Sequence, residues 1–300
     1  MKKVMMAVAV CLMMTACEKA IVPESVNESE WGGVDSNVPT KKFTFTVKGD
    51  FGSPVFQEGS TTRSVTYLTG ESNQMTDLWV FDFVGDECVQ SLHQTTSDEM
   101  WGQPQMSLTL GTHHVYFVAS RGVSPVLDAT AKTLTWASVR DTYWKDYEVT
   151  VANTSNGNRA VTLDRVVAKL KVTVNDEIPT GAATLTCTPA TWFYGLNYRT
   201  GAPVTATNGQ DMSVNIPSNY IGTTGLAASF FTVSELTEWT TDVTVAIKDG
   251  NGTTLGIADI PAVSMKRNRS TEYSGNLFSG GSNMVVSING DWLTPHVGTW

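Results

Sequence analysis

Histidine, cysteine, positive charge and helical periodicity are all scarce in this 300-residue chain, and each shortage removes a class of function. The four histidines are His93, His113, His114 and His296, and no HExxH, CxxC or close His/Cys cluster accompanies them. That argues against a structural or catalytic zinc site. The adjacent pair His113-His114 sits in a β-rich string, where successive rings point to opposite faces. One ring is expected at a core edge and the other in solvent. There is no GxSxG elbow and no glycine-rich loop running into a helix. "KDGNGTTLG" (248–256) begins like a calcium loop but carries Thr254 where that loop needs glycine, and it reads as a hairpin turn. Glycosidases need two carboxylates across a cleft, whereas the acidic residues here fall mostly in turns. The expectation is therefore no catalytic residues, no metal and no cofactor.

Lys and Arg number 20 against 29 Asp and Glu, a formal charge of −9. Loss of Lys2 and Lys3 with a leader would make it −11. Such a chain has no electrostatic footprint for nucleic acid. Of the four cysteines, Cys11 and Cys17 lie at the start, and Cys88 and Cys187 stand in separate contexts. Two buried thiols are expected rather than a disulfide. An apolar fraction of 41% still suffices for proper cores.

The longest uncharged apolar run, Val4 to Ala16, is too short for a bilayer-spanning helix, which takes ~20 residues. Behind Lys2 and Lys3 it has the flanks of an export signal. The junction Met14-Thr15-Ala16-Cys17 places small residues before a cysteine, as lipoprotein cleavage requires, and makes Cys17 the candidate for lipidation. An ordinary signal peptide, with Cys17 incidental, is the alternative. Acyl chains would hold the protein at a bilayer, each buried methylene contributing about 0.8 kcal/mol. The expected division is a signal over 1–16, an acidic flexible tether over 17–40, one β-sandwich over 41–164 and a second over 165–300.

Beyond residue 40 the apolar period is two almost throughout, the signature of strands. "KFTFTVKG" (42–49) alternates Phe43, Phe45 and Val47 against Thr44, Thr46 and Lys48. "VVAKLKVTVND" (166–176) puts Val166, Ala168, Leu170, Val172 and Val174 inward and Lys169, Lys171 and Thr173 outward. "TWASVRDTYWKDY" (135–147) is the one place where short helical turns are expected. Trp101, Trp136, Tyr143, Trp144 and Tyr147 read as core lids rather than as a sugar-stacking platform. The closing string "NGDWLTPHVGTW" offers Trp292 and Trp300 as pocket fillers, with Pro295 awkward for a central strand. It reads equally as a packed tail or a donor segment.

Four strings, "LWVFDFVGDECVQSLHQ" (78–94), "HHVYFVASRG" (113–122), "LDRVVAKLKVTVND" (163–176) and "MKRNRSTEYSGNLF" (265–278), carry a resemblance. With the leader and two sandwiches, the chain resembles the fimbrillin-type subunits of type V pili of Gram-negative bacteria. The likeness is greatest to the lipoprotein branch of fimbrial anchor and accessory subunits. The resemblance implies an all-β chain of two tandem antiparallel, transthyretin-like sandwiches. It implies a non-enzymatic outer-membrane fimbrial subunit, lipid-anchored and surface-exposed, with roles in cell adhesion. Its partners would be other fimbrial subunits, the outer membrane through its lipid, and a host or bacterial surface ligand.

In that family a trypsin-like protease cuts after a basic residue beyond the first strand, and a strand from the next subunit fills the groove left behind. The matching residues here are Arg63 in "QEGSTTRSV" (57–65) and the strand residues Phe43, Phe45 and Val47. An exposed loop arginine without a processing role fits Arg63 as well. The alternative to a pilus subunit is a surface glycan-binding lipoprotein.

Overall fold

The structure is a computed structural model that describes residues 38–49, 66–67, 75–122, 124–207, 209–278 and 284–291. The first half contains β1 (Thr40–Gly49), β2 (Thr66–Tyr67), β3 (Asp77–Val84), β4 (Glu87–Thr95), β5 (Gln105–Thr109) and β6 (Gly111–Ser120). After them come β7 (Val126–Asp128), β8 (Thr133–Thr135), β9 (Thr142–Val151), β10 (Asn158–Thr162) and β11 (Asp164–Arg165). The second half begins with β12 (Val167–Val174), β13 (Ala182–Pro189), β14 (Trp192–Asn197), β15 (Pro203–Thr207) and β16 (Met212–Asn215). It ends with β17 (Leu226–Val233), β18 (Trp239–Asp249), β19 (Thr254–Met265), β20 (Arg269–Gly275) and β21 (Met284–Asp291). Among the described residues the one helical element is a 3-10 turn, Ser218–Tyr220. The fold is all-β, built from largely antiparallel sheets stacked as tandem sandwiches, with the parallel pairs β1–β10 and β12–β20 among them.

Period-two alternation decides how the layers stack. In β3 and β6 both faces are apolar, so their sheet, in the order β11-β9-β6-β3-β4, is buried on both sides. Leu78, Val80, Val115, Phe117 and Ala119 face the sheet that contains β1 and share its core. Phe81, Phe83, Tyr116 and Val118 face the opposite way, into a core shared with Leu134, Trp136, Tyr194, Leu196 and Tyr198. That second layer is a four-stranded sheet, β15-β14-β8-β7, which takes strands from both sides of residue 164. Beyond it, β17-β12-β20-β21 and β16-β13-β18-β19 form the second sandwich, around Leu170, Val172, Leu185, Val245 and Ile260.

The expected turns in 135–147 do not form helix. Thr142 to Val151 is the strand β9, because Val118 and Ala119 of β6 pair with Trp144 and Tyr143 and draw the segment into the central sheet. "KDGNGTTLG" is a hairpin: Asp249 Oδ1 accepts from the amides of Asn251 and Thr253, and Gly252 supplies the positive φ, +84°. The histidine pair splits as alternation requires, with His113 buried and His114 half-buried. Cys187 is buried and burial pushes its thiol pKa up, whereas Cys88 is only half-buried; the two form no disulfide.

Lys169 departs from the expected pattern. Its alternation points it away from the Leu170 face, yet it is 1% exposed, between its strand partners Phe231 and Ser270 and within electrostatic reach of Arg165 and Asp141. Burial lowers its pKa to about 8, against the pull of Glu272. The unfolded chain therefore binds more protons between pH ~8 and the ordinary lysine value of ~10.4. Lys169 thus contributes a rise in stability with pH across that window of roughly 2–3 kcal/mol, opposed above pH ~9 by the raised thiol of Cys187, so the rise is read as the difference between wild type and a Lys169 variant. Lys169→Met should abolish the rise and stabilise the protein at pH 7. Urea unfolding at pH 7, 9 and 10 would show it; a slope unchanged in the variant would refute the assignment.

Candidate functional site

The site begins with a row of three apolar side chains. Phe43, Phe45 and Val47 of β1 are 0%, 0% and 1% exposed. They enter a core of Leu78, Val80, Met106, Leu108, Phe117 and Val161, among others. Phe45 meets Phe117 edge-on at 5.3 Å and Tyr147 at 6.0 Å, and the Arg159 guanidinium lies 5.2 Å over the Phe43 ring. Burying three such side chains contributes about 1.5–3 kcal/mol each.

The backbone of β1 is held along both edges. On one edge Thr40 to Thr44 pair antiparallel with Thr109 to Gln105. The same edge continues with Phe45 N donating to Pro104 O (3.0 Å) and Val47 N to Gly102 O (3.0 Å). On the other edge Thr44 to Lys48 pair in parallel with Asn158 to Thr162, with Thr44 N donating to Gly157 O and Leu163 N to Lys48 O. Near its end β1 also pairs with Thr66 and Tyr67 of β2. It is thus an interior strand. Taking it out would strip hydrogen bonds from 102–109 and from 157–163 together, besides emptying three pockets.

Two positions fix how closely β1 can sit. Gly157 is one: a Cβ there would lie 2.1 Å from the Lys42 carbonyl oxygen, so only glycine lets β10 approach β1 at this point. The other is the end of the sandwich beside the start of β1. There His113 Nδ1 donates to Asp82 Oδ1 at 2.8 Å, and Nε2 lies 3.0 Å from the carbonyl oxygen of Thr109, which pairs with Thr40. Burial alone would lower the His113 pKa. The hydrogen bond and charge of Asp82, with the Thr109 carbonyl, outweigh it and raise the pKa. With an acceptor at each nitrogen, the doubly protonated ring is the form that satisfies the site.

A second constellation lies where the halves of the chain meet. Arg165 grips Asp141 with two hydrogen bonds (2.7 and 3.0 Å), its guanidinium is 4.8 Å over the Tyr143 ring, and it reaches Asn268 Oδ1 at 3.3 Å. Both partners of the ion pair are buried. Asn268 has a left-handed backbone, φ +58°, and its amide donates to Val167 O. Next to it Arg267 donates to the carbonyls of Ser234 (2.9 Å) and Gly201 (2.5 Å). Gly201 in turn must be glycine, since a Cβ would lie 2.8 Å from the Trp144 ring. The strings 163–176 and 265–278 therefore touch: β12 and β20 run parallel side by side, with this junction at their leading end.

Trp101, Trp136 and Tyr143 are buried, and Trp144 and Tyr147 are half-buried against the cores. Cys17, Arg63, Trp292, Pro295 and Trp300 lie outside the described residues. Among the described residues no helix is long and apolar enough to cross a membrane. Gly157, Asp82 and Asp141 carried no sequence signal. The sharp turn at "NTSNGN" (153–158) is the nearest hint of the first, and the other two emerge only from pairing across sheets.

Residues 112–299 match the model of a family of unknown function, DUF6562. No curated protein matches the chain in sequence. Among solved structures, a DUF1812 protein of Bacteroides thetaiotaomicron, provisionally described as polysaccharide-binding, has a TM-score of 0.52 at 10% identity. The match covers 84% of this chain and 99% of that one, and it shows a shared fold. A fimbrial assembly protein of Parabacteroides distasonis gives a TM-score of 0.44 at 14% identity over 84% and 97% of the two chains. The tip fimbrial protein Mfa3 of Porphyromonas gingivalis, with a C-terminal truncation, gives 0.40 at 13% over 83% and 99%.

Two outcomes follow from the packing of β1. Gly157→Ala should push β1 out of register and cost more than about 2 kcal/mol. Amide exchange of residues 40–49 should then lose its protection before the rest of the sheet does. Uniform protection in the variant would show that β1 is not seated by this contact. For His113, the raised pKa means that its contribution is complete below pH ~6.5 and is lost as pH rises through the folded value. Urea titrations at pH 6 and 8 should show a loss of stability that His113→Gln removes.

Proposed function

We propose that this chain, which belongs to the family of unknown function DUF6562, is a non-enzymatic fimbrial or adhesin-like surface subunit that assembles by β-strand addition. The observation that carries the reading is β1 itself. It is an interior strand with three buried side chains, and it is joined to the rest of the fold through residues 50–65. In the uncut chain β1 fills its own slot in the 41–164 sandwich, and the 165–300 sandwich stands behind it as the second unit. The uncut subunit then serves as an anchor or accessory member, held at the outer membrane through acylated Cys17.

Cutting after Arg63 would separate the strand from the slot. An equivalent strand of a neighbouring subunit could then enter, gaining main-chain hydrogen bonds on both edges and refilling the pockets of Phe43, Phe45 and Val47. With each pocket contributing about 1.5–3 kcal/mol, such a joint would seldom come apart. A second reading, a surface lipoprotein that binds glycans, is favoured by one observation, the cavity treated below.

The test places a specific protease site between Arg63 and Ser64 in the folded full chain and follows exchange of a fluorescent peptide of residues 40–49. After cleavage the peptide should replace β1 slowly, and the same peptide with Phe45→Asp should not. Exchange at equal rates for both peptides, or none after mild denaturation and refolding, would refute strand addition. Mass spectrometry of protein from the cell envelope separates the two states: an acylated peptide beginning at Cys17 marks an anchor, and a start at Ser64 marks a shaft subunit.

A further inference from the structure

A cavity of about 210 Å³ opens where residues 137–140 meet Tyr194 of β14, the stretch 210–214 entering β16, and Phe230 and Phe231 of β17. Val139, Tyr194 and Phe230 in its wall are buried and Phe231 is half-buried, while Ser138, Gln210, Asp211 and Ser213 make the lining more polar than apolar. Arg140 and Asp211 are exposed and bring two opposite charges to the opening. The volume falls below the ~300–1,000 Å³ of clefts that take drug-sized ligands, and it suits a single six-membered ring.

The two charges are in different states. Asp211 is held: Thr188 Oγ1 donates to it at 2.6 Å and Lys248 Nζ at 2.9 Å, and these hydrogen bonds keep its carboxyl below the usual range. It is a fixed acceptor. The Arg140 guanidinium, by contrast, makes no hydrogen bond or ion pair among the described residues. A guanidinium left open beside an aromatic wall is matched by a planar carboxylate, which it can bind through two parallel hydrogen bonds.

We propose that this cavity binds one sugar ring that bears a carboxylate, such as a uronic acid of a glycan chain. The C–H face of the ring lies on Phe231, the one aromatic side chain of the lining that is only half-buried. The carboxylate pairs with Arg140, and ring hydroxyls donate to Asp211. A neutral ring would use the wall and Asp211 but leave Arg140 idle. The chain's formal charge of −9 disfavours anions at long range, so selectivity for an acidic sugar has to come from this local cation. The site deepens the second reading above and owes nothing to the movement of β1.

The experiment titrates the full chain with methyl glucuronide and, separately, methyl glucoside, and reads saturation-transfer NMR at physiological salt. The glucuronide should bind about tenfold more tightly than the glucoside, a difference of about 1.4 kcal/mol. Arg140→Ala, at an exposed position, should remove that preference while leaving the thermal midpoint unchanged. Phe231→Leu, which keeps an apolar side chain but removes the ring face, should weaken both sugars. Equal affinity for the two sugars, or no transfer at millimolar concentration, overturns the proposal. Transfer that survives both variants also overturns it, and would move any glycan-binding surface elsewhere on the molecule.

Discussion

An interior strand close to the beginning of the chain, bonded along both edges, is the constraint on which the first half of this protein depends. Sheets are finished when every buried amide has a partner, and β1 supplies partners to two backbones, 102–109 and 157–163. Its side chains also close the apolar interior that β3 and β6 line from below. The parallel pairing with β10 adds a further demand, because a close approach there is open only to a residue without a Cβ, Gly157. Removing β1 would therefore leave unpaired backbone on two sides and three empty pockets at once.

The halves of the chain are tied by more than one device. Sheet β15-β14-β8-β7 crosses residue 164 through main-chain bonds between Thr133–Thr135 and Gly195–Asn197. Tyr198 stacks on Phe81 at 4.0 Å, Arg199 reaches Asp86 at the β3–β4 turn, and Trp144 Nε1 donates to Tyr198 O. Beside these, the Arg165–Asp141 pair with Asn268 and Arg267 satisfies carbonyls at the ends of several strands at once. A buried ion pair of this kind is weak evidence for extra stability, since desolvation offsets much of the attraction. Its geometry instead specifies the register at which β12 and β20 begin, and removing one partner would leave a buried charge uncompensated.

Buried polar groups recur at strand ends in this fold. Asp77 accepts from Thr76, Ser124 and His93; burial would raise its pKa, but these hydrogen bonds prevail and lower it. His93 is also stacked on Trp79 at 4.0 Å. Together with Asp82–His113 this puts a hydrogen-bonded carboxylate at each end of β3. Such groups cost free energy to bury unless paired, so they discriminate strongly against slipped registers in strands whose apolar faces alone would tolerate a shift.

Local pattern determined much of this protein: the all-β class, the inward faces of β1 and of β12 apart from Lys169, the Asp249–Gly252 hairpin and the split of His113 from His114. Each of these depends only on a period of two or on the conformational demands of a turn, which neighbouring residues along the chain express by themselves. Tertiary structure alone decided the rest. Thr142 to Val151 became a strand because β6 offered it an edge. Lys169 is buried on a face that alternation assigns to solvent. Asp82, Asp141, Gly157 and Asn268 acquired their roles from partners that lie tens of residues away in sequence, and the cavity beside Arg140 exists only where four separate segments converge. Sequence periodicity reports which way a side chain points, but it carries no record of what the fold brings to stand opposite.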